Sequence, residues 1–327
     1  MALEIGLYVE SQEGVTWRDW RRIANRAEAL GFDLLVASVH LWSLQEPGRW
    51  ALDVWPVLTA VALWTRRLLF GPMVLPVTFY SPVQIARLSA GLDRLSGGRF
   101  RLDLGAGRDA GEHRAFGLPF VEHDERVAMM EEAIGVIRLL WSGEPVTFQG
   151  RWYRLDGGQL QPTPLVHWIG VGGDSEASLR VAATRADGWC TAGPTLPALR
   201  ERLDRLDALC RQAGRAPGSL RRRIMSGVVL GRQAREIERR VRRLEDLIPA
   251  LRGRSPRDAL KTLTDEWRWW AGTPMEVVDQ VEPFARTGVD GIVFQLFDVR
   301  DVGMLDLLGR EVVPRLRTVA REVCPTR

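Results

Sequence analysis

The feature of this sequence that most restricts its fold is a regular alternation of strand-like and helix-like segments. Each strand-like segment is a short apolar run, and the residues after it carry apolar side chains at helical spacing. The eight strand-like segments are Leu3–Val9, Phe32–Ala37, Leu68–Pro76, Phe100–Leu104, Val166–Val171, Gly188–Thr191, Arg223–Leu230 and Gly291–Leu296. Strands that alternate with helices favour a parallel sheet, and eight such units favour a closed barrel. We therefore predict an α/β fold, a single (β/α)8 TIM-barrel domain over residues 1–327.

The helix-like segments carry recognisable start and stop signals. Thr16 and Asp53 are of the type that caps a helix start, Pro82 suits a first helical turn, and Gly31 suits a helix end. The predicted helices are Thr16–Leu30, Asp53–Trp64, Pro82–Leu95, Gly111–Phe116, Asp124–Trp141, Ser175–Arg185, Leu196–Ala213, Pro274–Arg286 and Met304–Glu322. The alternating stretch Val146–Leu155, with its turn at Gln149-Gly150, predicts a hairpin.

One connection is longer than the usual few residues. The stretch 231–272, after strand seven, is rich in arginine and ends in Trp267-Arg-Trp-Trp270. We predict that it is an insertion with its own helices at the barrel mouth. Arginine beside tryptophan can stack on nucleic-acid bases, but a lid or a contact with a second subunit is the favoured interpretation.

Composition narrows the classes of protein to consider. The chain has 46% hydrophobic and 26% charged residues and a formal net charge of +4, which is too mild to predict nucleic-acid binding. Its three cysteines, Cys190, Cys210 and Cys324, are far apart, so we expect no disulfide framework, no zinc site and a reducing cytoplasm. No signal peptide pattern and no long apolar run is present, so we expect no membrane association.

Two glycine-containing strand ends suggest a site. The fourth strand ends in Gly105-Ala-Gly107, followed by Arg108, Asp109 and Glu112-His113, as at the active-site rim of a βα barrel. A plain connection with solvated charges is the alternative. The fifth strand ends in Gly170-Val-Gly-Gly-Asp-Ser175 and opens a helix, whose free N–H groups make a natural phosphate site. A tight turn with a serine cap is the alternative there.

The third strand is interrupted by Gly71, Pro72 and Pro76, which predicts a bulge rather than a regular ladder. Histidines do not suggest a metal site, because the chain has only four and none has ligand spacing.

Taken together, the strand ends resemble the bacterial luciferase-like family of flavin- and F420-dependent oxidoreductases. The matching pieces are Ala27-Glu-Ala-Leu-Gly-Phe-Asp33, Val39-His40, Gly71 through Ser81-Pro82, Leu92-Asp-Arg-Leu-Ser-Gly-Gly-Arg99, Gly105-Ala-Gly107, Glu112-His-Arg-Ala-Phe-Gly-Leu-Pro119, Trp168-Ile-Gly-Val-Gly-Gly173 and Ala186-Asp-Gly-Trp189. Each piece is weak alone, but together the pieces span nearly the whole chain. Their order and spacing are hard to obtain by accident.

The resemblance implies the cofactor contacts. The bulge of the third strand, which in this family often carries a non-proline cis peptide, would lie against the cofactor ring near Met73-Val74. The glycine turn Gly105, Ala106 and Gly107 would also contact the cofactor. The phosphate would bind at Gly170, Gly172, Gly173 and Ser175.

The resemblance also points to His40 and Arg108 as catalytic residues. An imidazole can move a proton near neutral pH, although a structural hydrogen-bonding role is the alternative. In the family an acidic residue precedes this histidine, and here Val39 stands there. The family commonly has an aromatic residue or a glutamate where Arg108 stands. A guanidinium there could clamp an anionic substrate or stabilise charge on the reduced ring, and a solvated arginine is the alternative.

Four further residues are expected to line the substrate pocket: Tyr8, Trp42, Tyr80 and His113. For each aromatic residue, packing elsewhere in the core is the competing interpretation. His113 and Glu112 are expected to form a structural pair on one helix that can also line the pocket.

The resemblance implies an enzyme that uses a reduced flavin-type cofactor on a small organic substrate. With F420, the favoured cofactor, the reaction would be hydride transfer, and with FMN, the alternative, it would be oxygen insertion. A barrel that has lost turnover and only binds flavin or a ligand is the second hypothesis, because Val39 and Arg108 replace family residues. A homodimer is expected by analogy alone.

Overall fold

The computed structural model describes residues 3–323, with the side chains of 320–323 left undescribed. The twelve strands of the described chain are β1 (Glu4–Val9), β2 (Leu34–Ala37), β3 (Leu69–Pro72), β4 (Leu75–Pro76), β5 (Leu102–Gly105), β6 (Val146–Gln149), β7 (Arg154–Gly158), β8 (Ile169–Gly172), β9 (Gly188–Ala192), β10 (Arg221–Leu230), β11 (Trp270–Gly272) and β12 (Gly291–Leu296). The helices are α1 (Trp17–Ala29), α2 (Val54–Trp64), α3 (Pro82–Ser96), α4 (Ala110–Ala115), α5 (His123–Leu140), α6 (Glu176–Arg185), α7 (Leu196–Gln212), α8 (Ala234–Leu247), α9 (Pro256–Lys261), α10 (Pro274–Ala285), α11 (Val302–Leu307) and α12 (Val313–Val323).

The main sheet is parallel and closes into a barrel. Its strand order is β3-β2-β1-β12-β10-β9-β8-β5-β4. β3 and β4 are two pieces of one broken strand, and a parallel bridge between Phe70 and Phe100 joins β3 to the residues just before β5. The circle therefore contains eight strand positions, and the predicted (β/α)8 barrel is confirmed.

Side chains alternate between two cores, as the two-residue period of a strand requires. On β1, Ile5, Leu7 and Val9 pack outward against the helices, whereas Tyr8 points into the barrel. The interior cluster consists of Tyr8, Leu34, Val36, Met73, Cys190 and Val293, with Leu69, Val74 and Met225 packed against it. This alternation decides which residues beyond each strand end face the mouth.

A buried ion network fills the amino end of the barrel. Arg223 Nε lies 2.6 Å from Glu4 Oε1, and its Nη1 lies 3.3 Å from Asp103 Oδ2. The indole N–H of Trp168 donates to Asp103 over 3.0 Å. Gly170 is next to this network, and a Cβ there would lie 2.0 Å from Asp103 Oδ1. Gly170, predicted as a cofactor-binding residue, thus leaves room for this carboxylate.

The predicted helix caps are present. Thr16 and Asp19 form a capping box at α1, Asp53 caps α2, and Pro82 is in the first turn of α3. Each cap satisfies amide groups that a helix start leaves without partners. The hairpin is also present, since β6 and β7 pair antiparallel, although β7 runs on to Gly158.

The segment 231–272 contains α8, α9 and the short strand β11, which pairs parallel with the end of β10. Among its tryptophans, Trp269 and Trp270 are buried. That this segment is an insertion, and that it acts as a lid, stays a prediction.

Two further expectations concern the cysteines and membrane-spanning helices. Cys190 and Cys210 are free thiols, and Cys324 lies outside the described residues. Among residues 3–323, no helix has the length and apolar character needed to cross a lipid bilayer.

Candidate active site

The carboxyl ends of the barrel strands place the predicted site residues around one opening. The sheet order puts β3 diametrically opposite β10, β1 opposite β8, and β12 opposite β5. We call this opening the mouth. In barrels of this kind the loops at this end carry the chemistry.

His40 lies beyond β2 and is paired with a carboxylate from another part of the chain. Its Nδ1 lies 3.0 Å from Glu112 Oε2, and Glu112 Oε1 accepts a hydrogen bond from the backbone N–H of Leu41. Glu112 is 1% exposed, whereas the His40 side chain is 19% exposed. Because a carboxylate only accepts, it fixes the proton on Nδ1 and leaves Nε2 to exchange protons elsewhere.

This pair changes how the sequence is interpreted. Val39 removes the acidic neighbour that the resemblance implies, but Glu112 at α4 supplies a carboxylate in its place. The expectation that Glu112 forms a structural pair with His113 is wrong, since its side chain binds His40 and Leu41 instead. Sequence alone could not show this, because the contact spans 72 residues.

His113 has a different role from the one predicted. It is 1% exposed, its Nδ1 bonds the carbonyl oxygen of Asp109 over 2.6 Å, and its Nε2 bonds Thr78 Oγ1 over 2.7 Å. Its ring packs between Phe79 and Phe120. Both ring nitrogens are used inside the protein, so His113 is a structural residue and does not line an open pocket.

The third strand forms the predicted bulge. The peptide bond between Met73 and Val74 is cis, the isomer that the resemblance implies. Met73 belongs to the interior cluster, and Val74 packs against it. A Cβ on Gly105 would lie 2.5 Å from Val74 Cγ2, and one on Gly172 would lie 2.7 Å from Val74 Cγ1. These two predicted cofactor glycines therefore make room for the bulge.

The remainder of the glycine turn after β5 is explained by local packing. Gly107 has φ of +79°, and a Cβ there would lie 2.9 Å from Thr78 Oγ1. Ala106 is 8% exposed and packs in the outer core, so only its backbone is left for the predicted cofactor contact.

The start of α6 has the free donors that a phosphate needs. The backbone N–H groups of residues 174–177 donate to no other residue of the described chain. Ser175 caps the helix by accepting from Ser178 N, and its hydroxyl also lies 3.0 Å from His123 Nε2. A Cβ on Gly173 would crowd the Ser178 side chain. The helix dipole adds to the attraction for an anion.

Acidic side chains beside these amides are already neutralised. Asp174 pairs with Arg202 over 3.2 Å, and Glu176 pairs with Arg205. A hydrogen bond from Arg205 lowers the pKa of Glu176. The charge that would oppose an anion is thus compensated locally.

Tyr8 belongs to the interior cluster, and Arg108 follows the glycine turn at the end of β5. Arg108 is exposed and makes no hydrogen bond or ion pair with any other described residue. Burial raises the pKa of Tyr8 well above its usual value, Glu10 raises it further, and Arg108 opposes both. The guanidinium therefore acts on the barrel interior and remains available for an anion.

Two of the predicted pocket aromatics are engaged at the rim. Trp42 is half-buried, with its ring edge-on to Phe116 at 5.6 Å. Tyr80 packs edge-on to Trp55, and its hydroxyl donates to Asp53 over 3.0 Å. Burial, together with Asp53, raises the pKa of Tyr80. The Tyr80 hydroxyl is therefore committed to the start of α2.

The sequence interpretation missed a carboxylate at the end of β1. Glu10 is 9% exposed and lies two residues after Tyr8, so it shares the interior face. Its Oε2 accepts from Gln12 Nε2 over 2.8 Å, and its Oε1 accepts from Gln295 Nε2. Burial raises the pKa of Glu10, and the hydrogen bond from Gln12 opposes this. The signal that could have identified Glu10 is a polar residue directly after a strand.

Aromatic side chains line the mouth opposite the bulge. A Cβ on Gly227 would lie 2.1 Å from Trp269 Cδ2, so the Trp269 ring fills that space. The same ring stacks on Phe297, with ring centroids 5.3 Å apart. Arg268 lies between Trp267 and Trp269 with φ of +63°, and the two indole rings are next to each other. The Ser226 hydroxyl donates to the carbonyl oxygen of Arg268 over 2.7 Å.

No group of three or more potential metal ligands occurs within residues 3–323.

Comparison with known proteins identifies the family of this chain. The family described as luciferase-like monooxygenase matches residues 4–291. An F420-dependent glucose-6-phosphate dehydrogenase from Beutenbergia cavernae is 31% identical, over 97% of this chain and 98% of that protein. One from Nakamurella multipartita is 30% identical, over 91% of this chain and 92% of that protein.

Solved structures share the fold at lower identity. An F420-dependent secondary alcohol dehydrogenase in complex with an F420–acetone adduct superimposes with a TM-score of 0.82 at 21% identity, covering 97% of this chain and 99% of that one. A long-chain alkane monooxygenase gives 0.80 at 18% identity, covering 97% and 92%. From the match across residues 4–291 and from full-length relatives at about 30% identity, this chain belongs to the luciferase-like monooxygenase family.

Proposed function

We propose that this protein is an F420-dependent oxidoreductase that transfers hydride between the deazaflavin and a small organic substrate. The observation that carries the proposal is the His40–Glu112 pair at the mouth, opposite free helix amides on the other side of the barrel. The relatives that match over the full chain at 30–31% identity are F420-dependent, whereas the monooxygenase neighbour at 18% supports only the fold.

The residues present fit such a cofactor. The amides of residues 174–177 would hold its phosphate, and the Ser175 hydroxyl, which donates to Ser178 Oγ over 2.9 Å, would turn to donate to it. The bulge at Met73-Val74 faces the interior and would support one face of the ring. Arg108 would reach an anionic group of the cofactor.

When bound, the cofactor supplies the acceptor or donor of the hydride. His40 handles the accompanying proton at Nε2, because Glu112 holds Nδ1. When an alcohol is oxidised, Nε2 takes the hydroxyl proton, and in the reverse direction it returns that proton to the carbonyl oxygen. Glu112 orients the ring and stabilises the imidazolium that forms.

Two alternatives remain from the sequence. FMN-dependent oxygenation would use the same phosphate site and bulge. A barrel without turnover was suggested by Val39 and Arg108, but the Glu112 carboxylate restores the partner that Val39 removes. The proposal therefore keeps an enzyme, with F420 favoured over FMN.

The deciding experiment is a titration of the purified protein with F420 and, separately, with FMN, followed by cofactor fluorescence. We expect saturable F420 binding at least tenfold tighter than FMN binding, and reduction of F420 by an alcohol without oxygen uptake. Tighter FMN binding together with oxygen consumption would overturn the proposal in favour of oxygenation. Binding of neither cofactor would overturn the enzyme assignment.

We also propose that the protein is a homodimer. Exposed apolar side chains on the outer faces of α2 and α3 support this: Leu63 is 58% exposed, Leu88 39% and Leu95 49%. Light scattering after size exclusion should give twice the mass of one chain, and a monomer at micromolar concentration would contradict the proposal.

A further inference from the structure

The mouth contains a corner that the proposed chemistry does not use. We define the acceptor corner as Glu10, Gln12 and Gln295 together with the Trp269–Phe297 ring pair. Its strands are β1 and β12, and Trp269 covers the end of β10. Because β10 is opposite the bulge of β3, a planar cofactor held by the bulge would present its free face to this corner.

The orientation of Gln295 follows from its neighbour. Gln295 is two residues beyond Val293 of the interior cluster, so its side chain also points into the barrel. Its Nε2 donates to Glu10 Oε1, and a carboxylate can only accept. The amide is therefore turned with Oε1 away from Glu10, and Oε1 accepts no hydrogen bond from the described residues. Gln295 is only half-buried, so this oxygen is within reach of a ligand.

Glu10 itself is held in a network that extends away from the mouth. Gln12 donates to Glu10, and Gln12 Oε1 accepts from the Ser38 hydroxyl, which in turn accepts from Ser11 N over 2.8 Å. No arginine, lysine or histidine of the described chain forms an ion pair with Glu10, although His40 is near enough to act on it electrostatically. A buried carboxylate without a counter-ion favours ligand groups that donate hydrogen bonds and opposes anions.

We propose that Gln295, oriented by Glu10, is a specificity-determining residue that accepts a hydrogen bond from a hydroxyl group, so that the enzyme selects uncharged alcohols over phosphate esters. This inference rests on the proposed function, since it concerns the substrate of that same site. Trp269 is 6% exposed, and its ring lies over Gly227, the cross-strand neighbour of Gln295, so it puts apolar surface beside the Gln295 amide. The corner thus combines acceptors with an aromatic face and contains no cation of its own.

The inference departs from what the full-length relatives suggest. They are described as glucose-6-phosphate dehydrogenases, and a phosphate carries two negative charges near neutral pH. Two arginines near the mouth, Arg108 and Arg268, are exposed, and neither is part of the acceptor corner. The hydroxyl end of a substrate would therefore be recognised here without help from a positive charge.

The test compares cyclohexanol, D-glucose and D-glucose 6-phosphate as probes of the wild type, Gln295→Leu and Glu10→Gln. Calorimetry gives their affinities without cofactor, and F420 reduction gives kcat and KM. For Gln295→Leu we expect the KM and Kd of the neutral alcohols to rise about threefold to tenfold, as for one lost hydrogen bond between uncharged groups, with kcat and F420 affinity unchanged. For Glu10→Gln we expect the preference for glucose over its phosphate to fall about tenfold, because the negative charge is gone.

The matched control is Gln233→Leu, an exposed glutamine before α8 whose side chain makes no capping bond. It should change none of these constants, and thermal unfolding checks that each variant is folded. Unchanged alcohol affinity in Gln295→Leu would overturn the inference, as would a wild type that prefers glucose 6-phosphate or binds none of the three probes. F420 affinity, measured separately on the wild type, decides the proposed function, so the two can fail independently.

Discussion

At the amino end of the barrel Arg223 lies between Glu4 and Asp103, whereas at the mouth Glu10 has no ion-pair partner among residues 3–323. Both Asp103 and Glu10 are buried, and burial raises the pKa of each. At the amino end, Arg223 lowers the pKa of Asp103 against that effect, so the charge is compensated inside the protein. At the mouth, hydrogen bonds from the Gln12 and Gln295 amides and the charge of the His40 imidazole lower the pKa of Glu10.

The comparison shows that one barrel treats buried charge in two ways. A network whose charges pair with each other serves the fold, since no ligand is needed to complete it. A buried carboxylate that only amides contact leaves an interaction for a ligand to complete. The first and fourth predictions below test this distinction, the second and third test residues of the mouth, and all four are ordered from the largest expected effect to the smallest.

The first prediction breaks the amino-end network. Arg223→Met should lower the free energy of unfolding by about 3–5 kcal/mol, because Glu4 and Asp103 would be left buried without their cation. Urea unfolding at neutral pH measures the change. F420 affinity should stay the same in the folded variant, and a stability loss below about 1 kcal/mol would show that the network contributes little.

The second prediction concerns chemistry at the mouth. His40→Ala should lower kcat about a hundredfold or more, through loss of the proton-transfer group, while F420 affinity changes much less. Steady-state kinetics and cofactor titration separate the two quantities. His167→Ala removes an exposed histidine that rests on Trp141 and should have no effect. If His40→Ala retains wild-type turnover, the assignment of His40 is wrong.

The third prediction expects the opposite pattern, a larger effect on cofactor affinity than on kcat, at the proposed phosphate site. Ser175→Ala should weaken F420 binding about fivefold, close to the value of one hydrogen bond, with a smaller change in kcat. Because Ser175 also caps α6, Ser255→Ala at the start of α9 serves as a control for the loss of a cap. Equal loss of F420 affinity in both variants would contradict a direct contact.

The fourth prediction uses pH and concerns stability alone. A carboxyl whose pKa is raised in the folded state binds more protons when folded than when unfolded. Its contribution to the free energy of unfolding therefore falls as the pH rises from the pKa of the carboxyl in the unfolded chain to its pKa in the folded protein. For Glu10 the stability of the wild type should decline over this range relative to Glu10→Gln, as measured by unfolding at a series of pH values. Parallel curves for the two proteins would contradict the assigned burial effect.

The barrel was predictable because its signals are local. Alternating apolar runs and capping residues such as Thr16 and Asp53 act within a few residues, and the structure bears them out. The bulge of the third strand followed from Gly71, Pro72 and Pro76 in the same way.

The site was only partly predictable, because its contacts join distant parts of the chain. His40 was identified from the family resemblance at the end of the second strand, but its partner Glu112 is 72 residues away. His113 was expected to pair with Glu112 and to line the pocket, yet Thr78 and Asp109 use both of its ring nitrogens. The pairing of Glu10 with Gln295 joins positions 285 residues apart and leaves no trace in sequence spacing.

The packing of Val74 has a consequence for engineering. Its two methyl groups occupy the space that side chains at 105 and 172 would need, so these three positions share a single volume. A larger residue at either glycine requires a smaller one at 74, and the three must be redesigned as a set. Shortening Val74 alone would deepen the barrel interior at the proposed ring site while leaving His40 and the α6 amides in place.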